Sequence, residues 1–233
     1  MAKENTTNER PTIDTSMAKE ILKVAYLLSA IDGEICDQEK AKFRAFMRML
    51  FGKRYADPDV MGYLEEIAEE ARKLIELRSF YANEDEIVKA FMAKAAASVA
   101  KIMINDYLAR CAFVMWLSIC LADADYSDLE RSAVKHLQQL ANNMGIGTVA
   151  AAVSCCASGA LFGLLGSMNA PTGTAKKRDC ITDRFLTDVE RRLKRIGELH
   201  AQMQAATDED MKQNYKDMHD FEISELMESL VVK

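Results

Sequence analysis

An all-α protein is what this sequence predicts, and three observations carry that expectation. The chain of 233 residues holds only 3 Pro and 10 Gly among many Ala, Leu, Met, Lys, Glu and Arg, a composition that favours helix. Apolar residues recur at three- and four-residue spacings through most of its length, and no run of alternating β-branched residues stands between turn signals. A charged loop, "IDGEICDQEK" at 31–40, returns as "ADADYSDLER" at 122–131, each time after an apolar helical pattern and before an amphipathic one. The predicted architecture is therefore a duplicated helix-loop-helix bundle, followed by a Gly/Ala-rich apolar segment and a C-terminal helical hairpin.

The lead-in "MAKENTTNERPTIDTS", residues 1–16, has no apolar h-region and reads as a flexible polar segment, not a signal peptide. From Met17 the residues Ile21, Leu22, Ala25, Leu28 and Ile31 fall on one helical face. Asp32-Gly33 is the expected stop, since glycine accepts the left-handed backbone that helix ends often need. The next helix runs through Ala41 to Phe51 with Phe43, Phe46, Met47 and Leu50 as its buried stripe, and Gly52 and Pro58 break the pattern. Val60 to Leu77 is a further amphipathic helix. Asn83 with Glu86 three residues on forms a helix start ahead of an Ala-rich pattern from Ile87, with a break expected near Asn105-Asp106. The apolar "CAFVMWLSICLA" leads into the second acidic loop, and the bundle is expected to occupy residues 17–148.

Beyond it the character changes. No formally charged residue occurs from Leu137 to Ala175, and the Gly/Ala-rich stretch 149–175 includes a span, 147–169, long enough to cross a bilayer as a helix. Gly159 and Gly163 stand in a G-x-x-x-G relation that favours close helix approach and homo-oligomers. Lys176, Lys177 and Arg178 follow it as a basic flank. Residues 176–233 return to amphipathic helix, with Thr207 and Asp210 suggesting a capping box for the last one.

The formal charge of -6, without a basic arm or stripe, weighs against nucleic acid and towards a cation or an electropositive protein partner. Six cysteines without C-x-x-C pairs or dense spacing suggest reduced thiols and a cytoplasmic setting. His136, His200 and His219 are far apart and outside metal-binding helical motifs, and adjacent Cys155 and Cys156 read as packing residues. No phosphate loop, nucleophile elbow or kinase signature is present, so no enzyme is expected.

The acidic loops admit two readings. Ser127 and Glu130 spell a capping box, and Cys36 with Glu39 repeats it with a poorer cap. Capping leaves Asp32, Glu34, Asp123 and Asp125 unexplained, because they precede the caps and repel one another. A divalent cation such as Ca²⁺ would relieve that repulsion, with Glu39 and Glu130 reaching back from the first helical turn.

The pattern of an apolar or small residue, then D-G-x-(apolar)-x-x-x-E, between two helices resembles the TerB-like domain. That domain is found in bacterial tellurite-resistance proteins and is related to the N-terminal domain of the membrane-anchored co-chaperone DjlA. "IDGEICDQE" fits it fully, and "ADADYSDLE" fits with Ala124 in place of glycine. The resemblance covers residues 17–148 and implies a non-enzymatic helical domain of stress or defence modules at the inner face of the membrane. It also implies that Asp32, Glu34, Glu39, Asp123, Asp125 and Glu130 hold metal or organise a partner surface. The alternative expectation is a membrane-associated structural protein that oligomerises through 147–169.

Overall fold

The structure, a computed structural model, describes residues 14–103, 105–122, 126–143 and 181–230, and among these every regular element is helical. Asp123, Asp125, the segment 149–175 with its 147–169 span, the basic flank at Lys176, Lys177 and Arg178, and Cys155, Cys156 and Cys180 lie outside the described residues. No described helix is long and apolar enough to cross a membrane.

Helix α1 (Thr15–Ser29) starts where Asp14 Oδ1 accepts the Met17 N–H at 2.7 Å. It is the centre of the bundle: α2 (Asp37–Phe51), α3 (Pro58–Glu76), α4 (Glu84–Ile102), α5 (Asp106–Cys120) and α6 (Asp128–Asn143) all touch it. Ile21, Leu22, Val24, Ala25, Leu27 and Leu28 are fully buried as a result. The small residues Ala95, Ala96 and Ala100 on α4 let that helix lie close against α1. Polar ties fix the pairing, since Ser98 on α4 donates to Glu20 on α1 at 2.6 Å and Glu70 on α3 pairs with both Lys23 (2.9 Å) and Lys94 (3.3 Å). Burial alone would raise the Glu70 carboxyl, but the two lysines hold it below its ordinary value.

The helix ends follow the expected chemistry, with two corrections. Helix α1 stops at Ser29, four residues before the glycine offered as its terminus. Tight turns closed by Ile31 N–H to Leu28 O and Gly33 N–H to Ala30 O follow it, so Gly33 spends its positive φ of 109° inside the loop. There the Arg78 guanidinium donates to the Asp32 carbonyl, and a Cβ at position 33 would collide with it. The second correction is at α8 (Glu209–Ser229), where Asp208, not Thr207, is the cap and accepts the Met211 N–H at 3.0 Å. A carboxylate at that position stands nearest the exposed N–H groups and also complements the helix dipole. Asn83 and Asn105 cap α4 and α5 as their sequence context suggests.

Helix α7 (Asp183–Ala205) pairs with α8 as the expected hairpin, tied by Arg192 to Glu222 at 3.0 Å and Glu225 at 3.1 Å. Its base is joined to the bundle. Gln138 and Asn142 of α6 donate to the Ile181 carbonyl at 3.1 and 2.8 Å, and Arg110 of α5 lies over the Phe185 ring and donates to the Ser229 carbonyl at 2.9 Å. Ile181, Phe185, Val189, Leu226 and Leu230 belong to the same apolar cluster as α1, α4, α5 and α6. A fragment ending at residue 148 would therefore uncover side chains of α5 and α6 that the hairpin covers.

The contact between α1 and α5 has one directional bond, from the Trp116 indole N–H to the Ile21 carbonyl at 3.0 Å, in a fully buried setting. Trp116→Phe removes this bond and leaves a partial cavity. We expect a loss of about 2 kcal/mol of stability in urea unfolding followed by far-UV circular dichroism. A loss below about 0.5 kcal/mol, the range of an ordinary surface change, would refute the importance assigned to this contact.

Candidate functional site

Each acidic loop feeds a helix through a capping box. At α2 the Cys36 Sγ accepts the Glu39 N–H at 3.4 Å, while Glu39 Oε2 accepts the Cys36 N–H at 2.8 Å. At α6 the Ser127 Oγ accepts the Glu130 N–H at 3.2 Å, and Glu130 Oε2 accepts the Ser127 N–H and hydroxyl, both at 2.9 Å. The capping reading of these four residues thus holds in full.

What spacing did not reveal is where the two caps lie. Glu39 and Glu130 are only 4% and 3% exposed, which is rare for carboxylates and places both at the inner side of the loops. They are also close enough to act on each other. Burial pushes the Glu130 carboxyl from its ordinary 4.5 up to about 7; the Ser127 N–H and hydroxyl pull it partly back, and the negative charges of Asp32 and Glu39 push it further. Cys120, the last residue of α5, is buried beside them. Burial drives its thiol well above the usual range, and the charge of Glu130, a hydrogen bond to Glu130 and the charge of Glu39 add to that.

The six sequence-predicted positions therefore separate into three groups. Asp32, Glu39 and Glu130 are brought within electrostatic reach of one another. Glu34 is exposed, and its backbone N–H donates to Asp32 Oδ1 at 3.3 Å, a short turn that aims the Asp32 carboxylate back over the loop. Asp123 and Asp125 lie outside the described residues. Among the described residues no three His, Cys, Asp or Glu are gathered into a set with metal-ligand spacing.

Two neighbours of the site escaped sequence reasoning. Arg78, from the short 3₁₀ turn Arg78–Phe80, clamps the first loop at the Asp32 carbonyl. Cys120 occupies, in the second unit, the place that the buried Ser29 holds in the first, three residues before each loop's leading aspartate. Extending the repeat alignment backwards by three residues was the available signal. Separately, His200 and His219, distant in sequence, face each other across the hairpin with ring centroids 6.1 Å apart. Cys36, Cys111 and Cys120 are free thiols.

Comparison of the chain with protein-family models, with curated proteins and with solved structures finds no match.

The raised Glu130 carboxyl makes stability depend on pH in a definite direction. Between about pH 4.5 and about 7 the folded protein holds a proton that the unfolded chain has released, so stability falls as pH rises through this window. Glu130→Gln keeps the acceptor oxygen for Ser127 and removes the charge. In chelator, the variant should match the wild type below pH 4.5 and exceed it at pH 8 by on the order of 3 kcal/mol, the equivalent of the shift. Parallel stability-versus-pH curves for the two proteins would contradict a buried, strained carboxylate at this position.

Proposed function

We propose that this chain is a non-enzymatic, TerB-like binding or adaptor protein of a bacterial stress or defence response, acting in the cytoplasm at the inner face of the membrane. Its two acidic loops together take up a divalent cation, and the loaded loops form the surface that a protein partner recognises. One observation carries this reading: the carboxylates of Glu39 and Glu130, from loops far apart in sequence, are both buried, and the charges of Asp32 and Glu39 act on Glu130 and oppose its ionisation.

Protein interiors tolerate such a cluster poorly unless something compensates for it. The capping bonds compensate partly, since each carboxylate accepts one or two hydrogen bonds. An oxygen-rich, negatively charged set of this kind suits a hard cation of the Ca²⁺ or Mg²⁺ type better than a thiolate-seeking metal. The reciprocal packing of the two units, α1 against α6 and α2 against α5, supports their reading as a duplicated pair sharing one site.

Thermal melting of the full chain in chelator and in millimolar Ca²⁺, Mg²⁺, Mn²⁺ or Zn²⁺ tests the proposal. A cation that binds only the folded state at about 100 times its Kd adds about 2.7 kcal/mol, an increase of several degrees in Tm. The pair Asp32→Asn and Glu130→Gln should raise Tm in chelator and cancel the cation response. Failure of all four ions to move the wild-type melt would eliminate the cation site and leave the loops as a partner surface alone.

A further inference from the structure

Two adjoining grooves share Ile35 of the first acidic loop. The larger, of about 440 Å³, runs between α1 and α3, with Ala30, Ile35, Ala68, Ala71 and Ile75 in its walls. The smaller, of about 140 Å³, lies between α1 and α2 and contains Ser29, Lys40, Phe43 and Arg44. Tyr26 and Ile35 line both, so the two grooves adjoin; the larger has apolar and charged residues of α3 in its wall and the smaller carries Lys40 and Arg44. The larger groove falls within the size range of small-molecule sites, roughly 300–1,000 Å³. Its depth comes from Ala68 and Ala71, a pair of small residues one helical turn apart on α3.

The charges of the two grooves differ in what they have left to offer. Arg72, in the α3 wall of the larger groove, is already held between Glu69 and Glu76, and Glu65 adds a further carboxylate there. Lys40 has a single weak contact, to the highly exposed Asp37 at 3.4 Å, a pairing worth little in water. Arg44 has no carboxylate partner among the described residues. Tyr26 and Lys40 line the smaller groove together, and the Lys40 charge acts on the Tyr26 phenol, which burial raises overall. The Ser29 hydroxyl donates to the Ala25 carbonyl at 3.2 Å and keeps acceptor capacity on its oxygen.

We propose that these adjoining grooves bind a small amphiphilic monocarboxylate, with the aliphatic chain between α1 and α3 and the carboxylate on Arg44 and Lys40. Glu65 and Glu69 in the α3 wall disfavour a second negative charge in the larger groove, which selects one anionic head over a dicarboxylate. Nothing in this proposal requires the cation site, and its test is run in chelator so that the two stand or fall separately.

Isothermal titration of the full chain with octanoate, octanol and octylammonium reads the head-group preference. Octanoate should bind at least 10-fold more tightly than octanol, and octylammonium should not bind. Decanoate should improve on octanoate by about 10-fold, because two further methylenes leave water. Lys40→Glu combined with Arg44→Glu changes only exposed side chains and should weaken octanoate binding at least 10-fold, while Ala68→Trp should block it with an unchanged circular dichroism spectrum. Absence of octanoate binding at millimolar concentration, equal binding of octylammonium, or unchanged binding by the double glutamate variant would each overturn the proposal.

Discussion

Between Ile21 and Ile31 only Lys23 and Tyr26 of α1 and its following turn are not buried, and this enclosure sets the geometry of everything around it. A helix surrounded in this way cannot end at the surface. Its terminus delivers the turn at Ala30 and Ile31 into the interior, where both residues are fully buried. The acidic loop that follows must then climb out from the core, and in the first turn of α2 Glu39 stays buried while Asp37, Gln38 and Lys40 are exposed. Helix α5 is similarly enclosed through Phe113, Trp116, Leu117, Ile119 and Cys120 and brings the second loop to the same region. Buried carboxylates therefore follow from the packing of α1 and α5, while the capping boxes make them chemically tolerable.

The two glutamates are under opposing demands. An N-terminal helical turn favours a negative charge that accepts its free N–H groups. Burial favours the neutral acid, and a second buried carboxylate nearby strengthens that preference. At Glu130 the second demand prevails near neutral pH, since its carboxyl titrates at about 7 in spite of two bonds from Ser127. The cap at Glu39 has a sulfur in place of the serine oxygen, and its Sγ to N–H distance of 3.4 Å makes it the weaker of the two. A proton on Glu130 relieves the repulsion from Asp32 and Glu39, and the cation of the proposed function would have to compete with that proton.

Much of the fold was legible in the sequence because it is written locally. Asn83, Asn105, Cys36 and Ser127 mark helix starts through bonds that span three residues, and the apolar stripes of α2 and α3 identify their inner faces. Misreadings were also local and small. Gly33 serves the passage of Arg78 instead of the end of α1, a role that depends on a residue 45 positions later, and Asp208 displaced Thr207 as a cap. The site was legible only in part. Spacing identified Asp32, Glu39 and Glu130, but their exposure could not be read from it, because burial depends on how α1 and α5 pack. The docking of Ile181 and Phe185 against α5 and α6, and the meeting of His200 with His219, are long-range consequences of the same kind.

Ile35 stands between Glu34 and Cys36 in the chain and lines both grooves. The loop is held at the Asp32 carbonyl by Arg78 and at Cys36 by the Glu39 cap, leaving residues 33–35 as the short span between two fixed points. If both proposed sites are occupied, Ile35 is the residue through which one could act on the other, and such coupling would be reciprocal. The loop's sequence, D-G-E-I-C, thus sets the exposed Glu34 beside the groove-lining Ile35 on one short segment held at both ends.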